Sequence, residues 1–162
     1  MNTNAQQLNG QIVDLMETAY HEAGHAVAAV LHDLVFWYVT IVPGEDDLGH
    51  VDYGIRPAFL NVGHRRFARE LRDYLVCNRA GPLAEERLTG HRNDVLGSGD
   101  DQIFWSTLWQ MYGERGDRHA RDLTGQARRL VYAHWSSIER VAQALIQEQT
   151  LPFTAVEQLV QQ

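Results

Sequence analysis

Apolar and small positions cluster in the stretch ETAYHEAGHAVAAVL, residues 17–31, where Val27, Val30 and Leu31 form one face of a helical pattern. Asp14 and Glu17 are spaced as a capping pair, which predicts a helix from near Leu15 to about His32. Residues 36–43, FWYVTIVP, are aromatic and β-branched and end at Pro43-Gly44, the signature of a strand. An acidic turn, Glu45-Asp46-Asp47, leads into a second extended run from Gly49 to Tyr53, so a small antiparallel sheet is expected. Pro57–Gly63 reads as a loop. Helical patterning returns over Arg65–Cys77 and again over Pro82–Leu88, and HRNDVLGSGDD reads as a loop. Ser98 can cap a helix over Gly99–Tyr112, and Gly113–Asp117 breaks the pattern. Leu123, Ala127, Leu130, His134, Ile138, Val141 and Leu145 then recur at helical spacing, predicting one long helix to about Gln149 that Pro152 closes. Thr154 with Glu157 caps a last short helix. The expected fold is mainly α (α+β), with a flexible polar segment over 1–12 and a single domain over 13–162.

Composition narrows the function. At 162 residues, 44% hydrophobic and 22% charged, the chain suits one soluble globular domain. Its net charge of −7 is the opposite of a nucleic-acid footprint. All 14 cationic residues are arginines, which excludes a P-loop with its phosphate-binding lysine. Cys77 is the only cysteine; it lies in an apolar helical run and reads as a core residue. The first residues have neither a basic start nor an apolar block, and no apolar run approaches a membrane span. A cytoplasmic location is the expectation.

The candidate chemistry lies in the first helix. His21-Glu22-Ala23-Gly24-His25 reads HExxH, and residues i and i+4 of a helix share a face, so both imidazoles can address one metal ion. Glu22, one residue on, is placed to act on a water without being a ligand. Two solvated histidines on a surface helix would be the bland alternative, but the surrounding small residues, Ala23, Gly24, Ala26, Ala28 and Ala29, suit close approach of another backbone or a substrate. A catalytic Zn2+ site needs a third protein ligand. The metzincin continuation is missing, since Ala28 and Leu31 occupy its Gly and His places. Asp100, Asp101, Glu85, Glu86, Glu45, His50, His64 and His91 remain open as third ligands. Asp101 has a competing reading as a capping partner of Ser98, and local periodicity does not separate it from Asp100.

Several segments, in order, resemble the peptidase domain of the FtsH-type ATP-dependent metalloproteases, the M41 peptidases. TAYHEAGHAV is similar to that family's metal helix, VTIVPGEDDLGHV to the strand and turn after it, AGPLAEERLTG to its GGRAAEELxFG helix, and GSGDDQIFWST to its TTGASxDLxxAT segment. ARRLVYAHWSSIERVAQALIQEQTLPFTAVEQL resembles the C-terminal helices, so the likeness spans about residues 17–160. It implies a zincin-like helical peptidase domain with His21, His25 and Asp101 as zinc ligands and Glu22 as base. It also implies an unfolded protein or peptide as substrate. The family's membrane helix and ATPase module are missing, and Pro82, Leu83, Val95 and Leu96 depart from its motifs. Hydrolysis is therefore expected to be ATP-independent, with a separate ATPase or a homo-oligomer as possible partners and no nucleic acid or membrane span. The rival is a metal-stabilised binding or regulatory module; an intact Glu22 argues against it, because a structural site needs no base. The strand Phe36–Val42 is the expected sheet edge for an extended substrate.

Overall fold

The computed structural model describes residues 3–44, 48–53, 65–91 and 98–162, with side chains from 15, 68 and 99 onward in the first three helices. The predicted loop Pro57–Gly63, and Glu45 and His64 among the candidate ligands, lie outside the described residues. The chain runs α1 (Thr3–Leu31), β1 (Tyr38–Thr40), β2 (His50–Asp52), α2 (Arg65–Thr89) and α3 (Ser98–Tyr112). A 3-10 turn over Gly113–Arg115 follows, then α4 (Gly116–Ala133), α5 (Trp135–Glu148), β3 (Thr150–Pro152) and α6 (Phe153–Val160). The mainly helical class with a small antiparallel sheet is as expected. No helix among the described residues is long and apolar enough to cross a membrane.

α1 is the central element, packed against α2 and α5, with the sheet and α6 alongside. Its small residues make this possible. Ala19, Ala23, Ala26, Ala28 and Ala29 are fully buried, and a Cβ on Gly24 would lie 2.6 Å from the Ala80 carbonyl oxygen of α2. The helix stops in a Schellman arrangement: Asp33 takes the left-handed conformation (φ 55°), Leu34 N–H donates to Ala29 O at 2.9 Å and Asp33 N–H to Val30 O at 3.2 Å. It begins at Thr3 rather than near Leu15, so Asp14 lies inside it.

Three further elements differ from expectation. The two helices predicted over 65–88 are one, running through Pro82. An interior proline costs about 3 kcal/mol; here burial of Ala80, Leu83 and Ala84 on either side holds the helix against that penalty. The long C-terminal helix is two, broken at His134 (φ −112°, ψ 27°). Arg87 of α2 reaches into that break, donating to the Val131 and Tyr132 carbonyls at 3.5 and 3.3 Å and stacking on the rings of Tyr132 and Trp135. Residues 150–152 form a strand: Gln149 (φ 63°) turns the chain back so that β3 pairs with β1. Pro152 occupies the N-cap of α6 without a side-chain cap, and Thr154 lies inside that helix.

The sheet order is β2-β1-β3, antiparallel throughout, with Val39 opposite both Val51 and Leu151. β1 is therefore central, and the expectation that Phe36–Val42 offers a free edge is corrected: its hydrogen bonds are taken on both sides. Among the described residues the edges are β2 and β3.

Candidate metal centre

Three helices converge on one buried cluster. α1 places His21, Glu22 and His25 on its packed face, 3%, 5% and 7% exposed. α2 approaches closely enough to touch them because Gly81 has no side chain; a Cβ there would overlap the His25 Nε2. α3 brings a carboxylate in from its first turn. His21 Nε2 lies 2.9 Å from Asp100 Oδ2, His25 Nε2 lies 3.2 Å from the same oxygen, and the two Nε2 atoms are 3.1 Å apart. His21, His25 and Asp100 thus present three ligand atoms at one point and could hold a metal ion.

The other ring nitrogens are tied down. His25 Nδ1 donates to the Cys77 carbonyl at 2.8 Å, and His21 Nδ1 meets Glu85 Oε2 at 3.0 Å. These bonds fix both rings with Nε2 inward, the outer support a metal-binding histidine requires. Asn78 Nδ2 donates to Asp100 Oδ1 at 3.0 Å and leaves Oδ2 for the cluster. Glu22 contributes no ligand atom. Its Oε2 is buried and has no hydrogen-bond partner among the described residues, and Gly49, just before β2, closes over it: a Cβ at 49 would lie 2.9 Å from Glu22 Cγ.

Asp101, the acid that the resemblance implies, is not in the cluster. It accepts from Arg79 of α2, whose guanidinium also lies 4.9 Å above the Phe104 ring. Asp100, held by Asn78, faces the two imidazoles, while Asp101 faces Arg79. Glu85 supports His21 from behind. Glu86 lies 3.7 Å from Arg128 on the surface, His50 is in β2 beside the Tyr38 hydroxyl at 3.3 Å, and His91 is exposed beyond α2. Asn78, Gly81 and the Cys77 carbonyl escape sequence reasoning, although all three lie within or just before the AGPLAEERLTG segment.

Electrostatics agree with the geometry. Burial alone would push the His21 imidazole down, but its hydrogen bonds to Asp100 and Glu85 raise it to about 10. His25 is raised against the same burial by the Asp100 charge. Asp100, which burial would raise, is held well below the usual carboxylate range by the two histidines. Burial pushes the Glu22 carboxyl up, opposed by His21 and His25. Without a metal the cluster is a charge-paired triad.

The donors fit a metal in kind and spacing. Two imidazoles and a carboxylate form a common catalytic zinc set, and ligand atoms 2.0–2.1 Å from a tetrahedral ion lie about 3.3 Å from one another. The observed separations of 2.9–3.2 Å come within a few tenths of an ångström of that. Searched against known proteins, the sequence matches no family model and no curated protein.

Proposed function

We propose that the chain is a zinc-dependent metallopeptidase with a zincin-like fold, hydrolysing peptide bonds in unfolded proteins or peptides. One observation carries this reading. Three metal-competent atoms converge beside a buried carboxylate, Glu22, that is no part of the triad and has an oxygen without a hydrogen-bond partner among the described residues. A purely structural site has no use for such a group. The resemblance to the FtsH-type peptidases points to the same two histidines and to Glu22 as base; it implies Asp101 as third ligand, where the convergence of donor atoms favours Asp100.

His21, His25 and Asp100 would hold the zinc. Zinc bound there supplies Lewis acidity, polarising a carbonyl oxygen and making a water easier to deprotonate. Glu22 takes the proton of the attacking water and passes it to the departing amine, so one carboxyl serves as base and then acid. Burial favours this exchange by raising its carboxyl above the usual carboxylate range. Glu85, Asn78 and the Cys77 carbonyl keep the ligands in place. The outer edge of β2, which starts beside Glu22, is the side on which an extended substrate would add as a strand.

The test is metal analysis with casein cleavage, wild type beside Glu22→Gln, with and without ATP. Zinc should stay bound in both proteins. Hydrolysis should fall by about 10²–10⁴ in the variant, and ATP should change nothing, since this chain has no lysine for a P-loop. Bound zinc with no cleavage by either protein would instead identify a metal-stabilised module without catalysis, and equal cleavage by both would remove Glu22 from the mechanism.

A further inference from the structure

Three consecutive residues of α2 each hold a different part of the site. The Cys77 carbonyl accepts from His25 Nδ1 at 2.8 Å, the Asn78 amide reaches Asp100, and Arg79 pairs with Asp101. The middle contact has a cost that the others lack. Asn78 is 4% exposed, and its side-chain carbonyl has no hydrogen-bond partner among the described residues. A buried carbonyl left unpaired works against the fold. The amino end, the one end of an amide that can donate to a carboxylate, meets Asp100 Oδ1 at 3.0 Å. What this side chain does for the molecule is concentrated in that bond.

The two oxygens of Asp100 thereby have separate tasks. Oδ2 lies 2.9 Å from His21 Nε2 and 3.2 Å from His25 Nε2, while Oδ1 is turned to α2. A carboxylate can bind a metal through one oxygen or through both. Both oxygens of Asp100, with the two imidazole nitrogens, would complete the shell of a tetrahedral ion, whereas a catalytic site keeps one position for water. A neutral amide is suited to holding one oxygen back, because it occupies Oδ1 without cancelling the charge that Asp100 offers an ion. A guanidinium would grip both oxygens in a fork; the neighbouring one, Arg79, is directed to Asp101 instead.

We propose that Asn78 is a positioning residue that restricts Asp100 to the metal through Oδ2 alone, and so keeps a coordination position open for the water on which Glu22 acts. This rests on the zinc peptidase reading above and adds a distinct role to it. An amide that merely steadied Asp100 would govern how tightly zinc binds. One that sets the number of bound oxygens governs whether the loaded site can work.

Asn78→Leu keeps the branching of the side chain and removes the donor; Asn78→Ala does the same with less bulk, should leucine disturb the packing. Infrared difference spectra of zinc-loaded against chelator-stripped protein, with isotope-labelled aspartate, report the binding mode directly. The antisymmetric and symmetric carboxylate stretches lie far apart when one oxygen binds and close together when both do. Wild type should show the wide separation and the variants the narrow one. Zinc affinity should stay within about tenfold of wild type, no more than the low end of the loss typical of an outer-shell partner. Turnover of a labelled peptide should fall by about 10²–10⁴, as though Glu22 itself were lost. A wide separation in both variants, or affinity and turnover falling together by about 10–100-fold, would make Asn78 an ordinary support and overturn the proposal. Narrowed bands in the variants with no cleavage even by wild type would uphold the restriction on Asp100 and defeat the peptidase reading. Wild-type protein that takes up no zinc would defeat both.

Discussion

Two adjacent carboxylates on α3 do different work, and the difference is one of helical phase. Successive residues on a helix point about 100° apart. Asp100 therefore faces the imidazoles while Asp101 faces Arg79. We expect Asp100→Ala to lower zinc affinity by more than the about 10–100-fold typical of outer-shell partners. Asp101→Ala should stay within that range, since it loosens the seat of α3 without removing a ligand. Competition against a chromophoric chelator would measure both; the reverse order would return Asp101 to the metal. The histidines and Glu22 were legible because their spacing alone, i and i+4 on a helix, brings them together. The choice between Asp100 and Asp101 was not, because Asn78 and Arg79, on a different helix, decide it. Glu85 likewise read as a possible ligand, since only the fold reveals that it meets Nδ1 rather than Nε2 of His21.

At the scale of elements, contact between α1 and α2 sets the site, and two glycines make that contact possible. A side chain on Gly81 would strike His25, and one on Gly24 would meet Ala80 O at 2.6 Å and Ala84 Cβ at 2.8 Å. Neither atom lies at the end of a flexible side chain that could swing away. Gly24→Ala should destabilise the metal-free protein by about 1–3 kcal/mol, the range for overpacking. Gly81→Ala should in addition weaken zinc binding. Gly99→Ala, with no described residue within 4 Å of the added carbon, is the control; it should be neutral or stabilising by up to about 1 kcal/mol, as glycine is costly in a helix. Urea titrations of the three variants would rank them, and a Gly81→Ala protein with wild-type affinity for zinc would refute the close-approach argument. Periodicity and capping residues placed helical segments where the described helices lie, but not where each began, ended or broke. Nothing in the apolar stripe from Leu123 to Leu145 marks the bend at His134, which depends on Arg87 from α2. β3, three residues ending in proline, carries no periodic signal, yet its pairing is what turns β1 from an edge into the middle of the sheet.

Across the whole molecule, the cluster couples folding to both protons and metal, with opposite dependence on pH. In the metal-free protein His21 is raised to about 10, so folding favours its protonated form. That contribution is complete below the unfolded value near 6.5 and fades as pH rises through about 10. Asp100 is shifted the other way, so its contribution is present above the unfolded value near 4 and is lost in acid. The triad therefore stabilises the metal-free fold most between about pH 4 and 6.5. Zinc needs neutral imidazoles and must displace the Nε2 protons that face Asp100, while the Nδ1–H groups keep their bonds to Glu85 and the Cys77 carbonyl, so its affinity rises with pH over the range in which the metal-free triad weakens. Chelator-stripped protein should melt at progressively lower temperature from pH 6.5 to 8.5, while the increase in melting temperature on adding zinc should grow across the same interval. Calorimetry in buffers of different ionisation enthalpy should register proton release on zinc binding at pH 7. Parallel melting curves with and without zinc, together with no proton release, would mean that the ion binds somewhere other than between His21, His25 and Asp100.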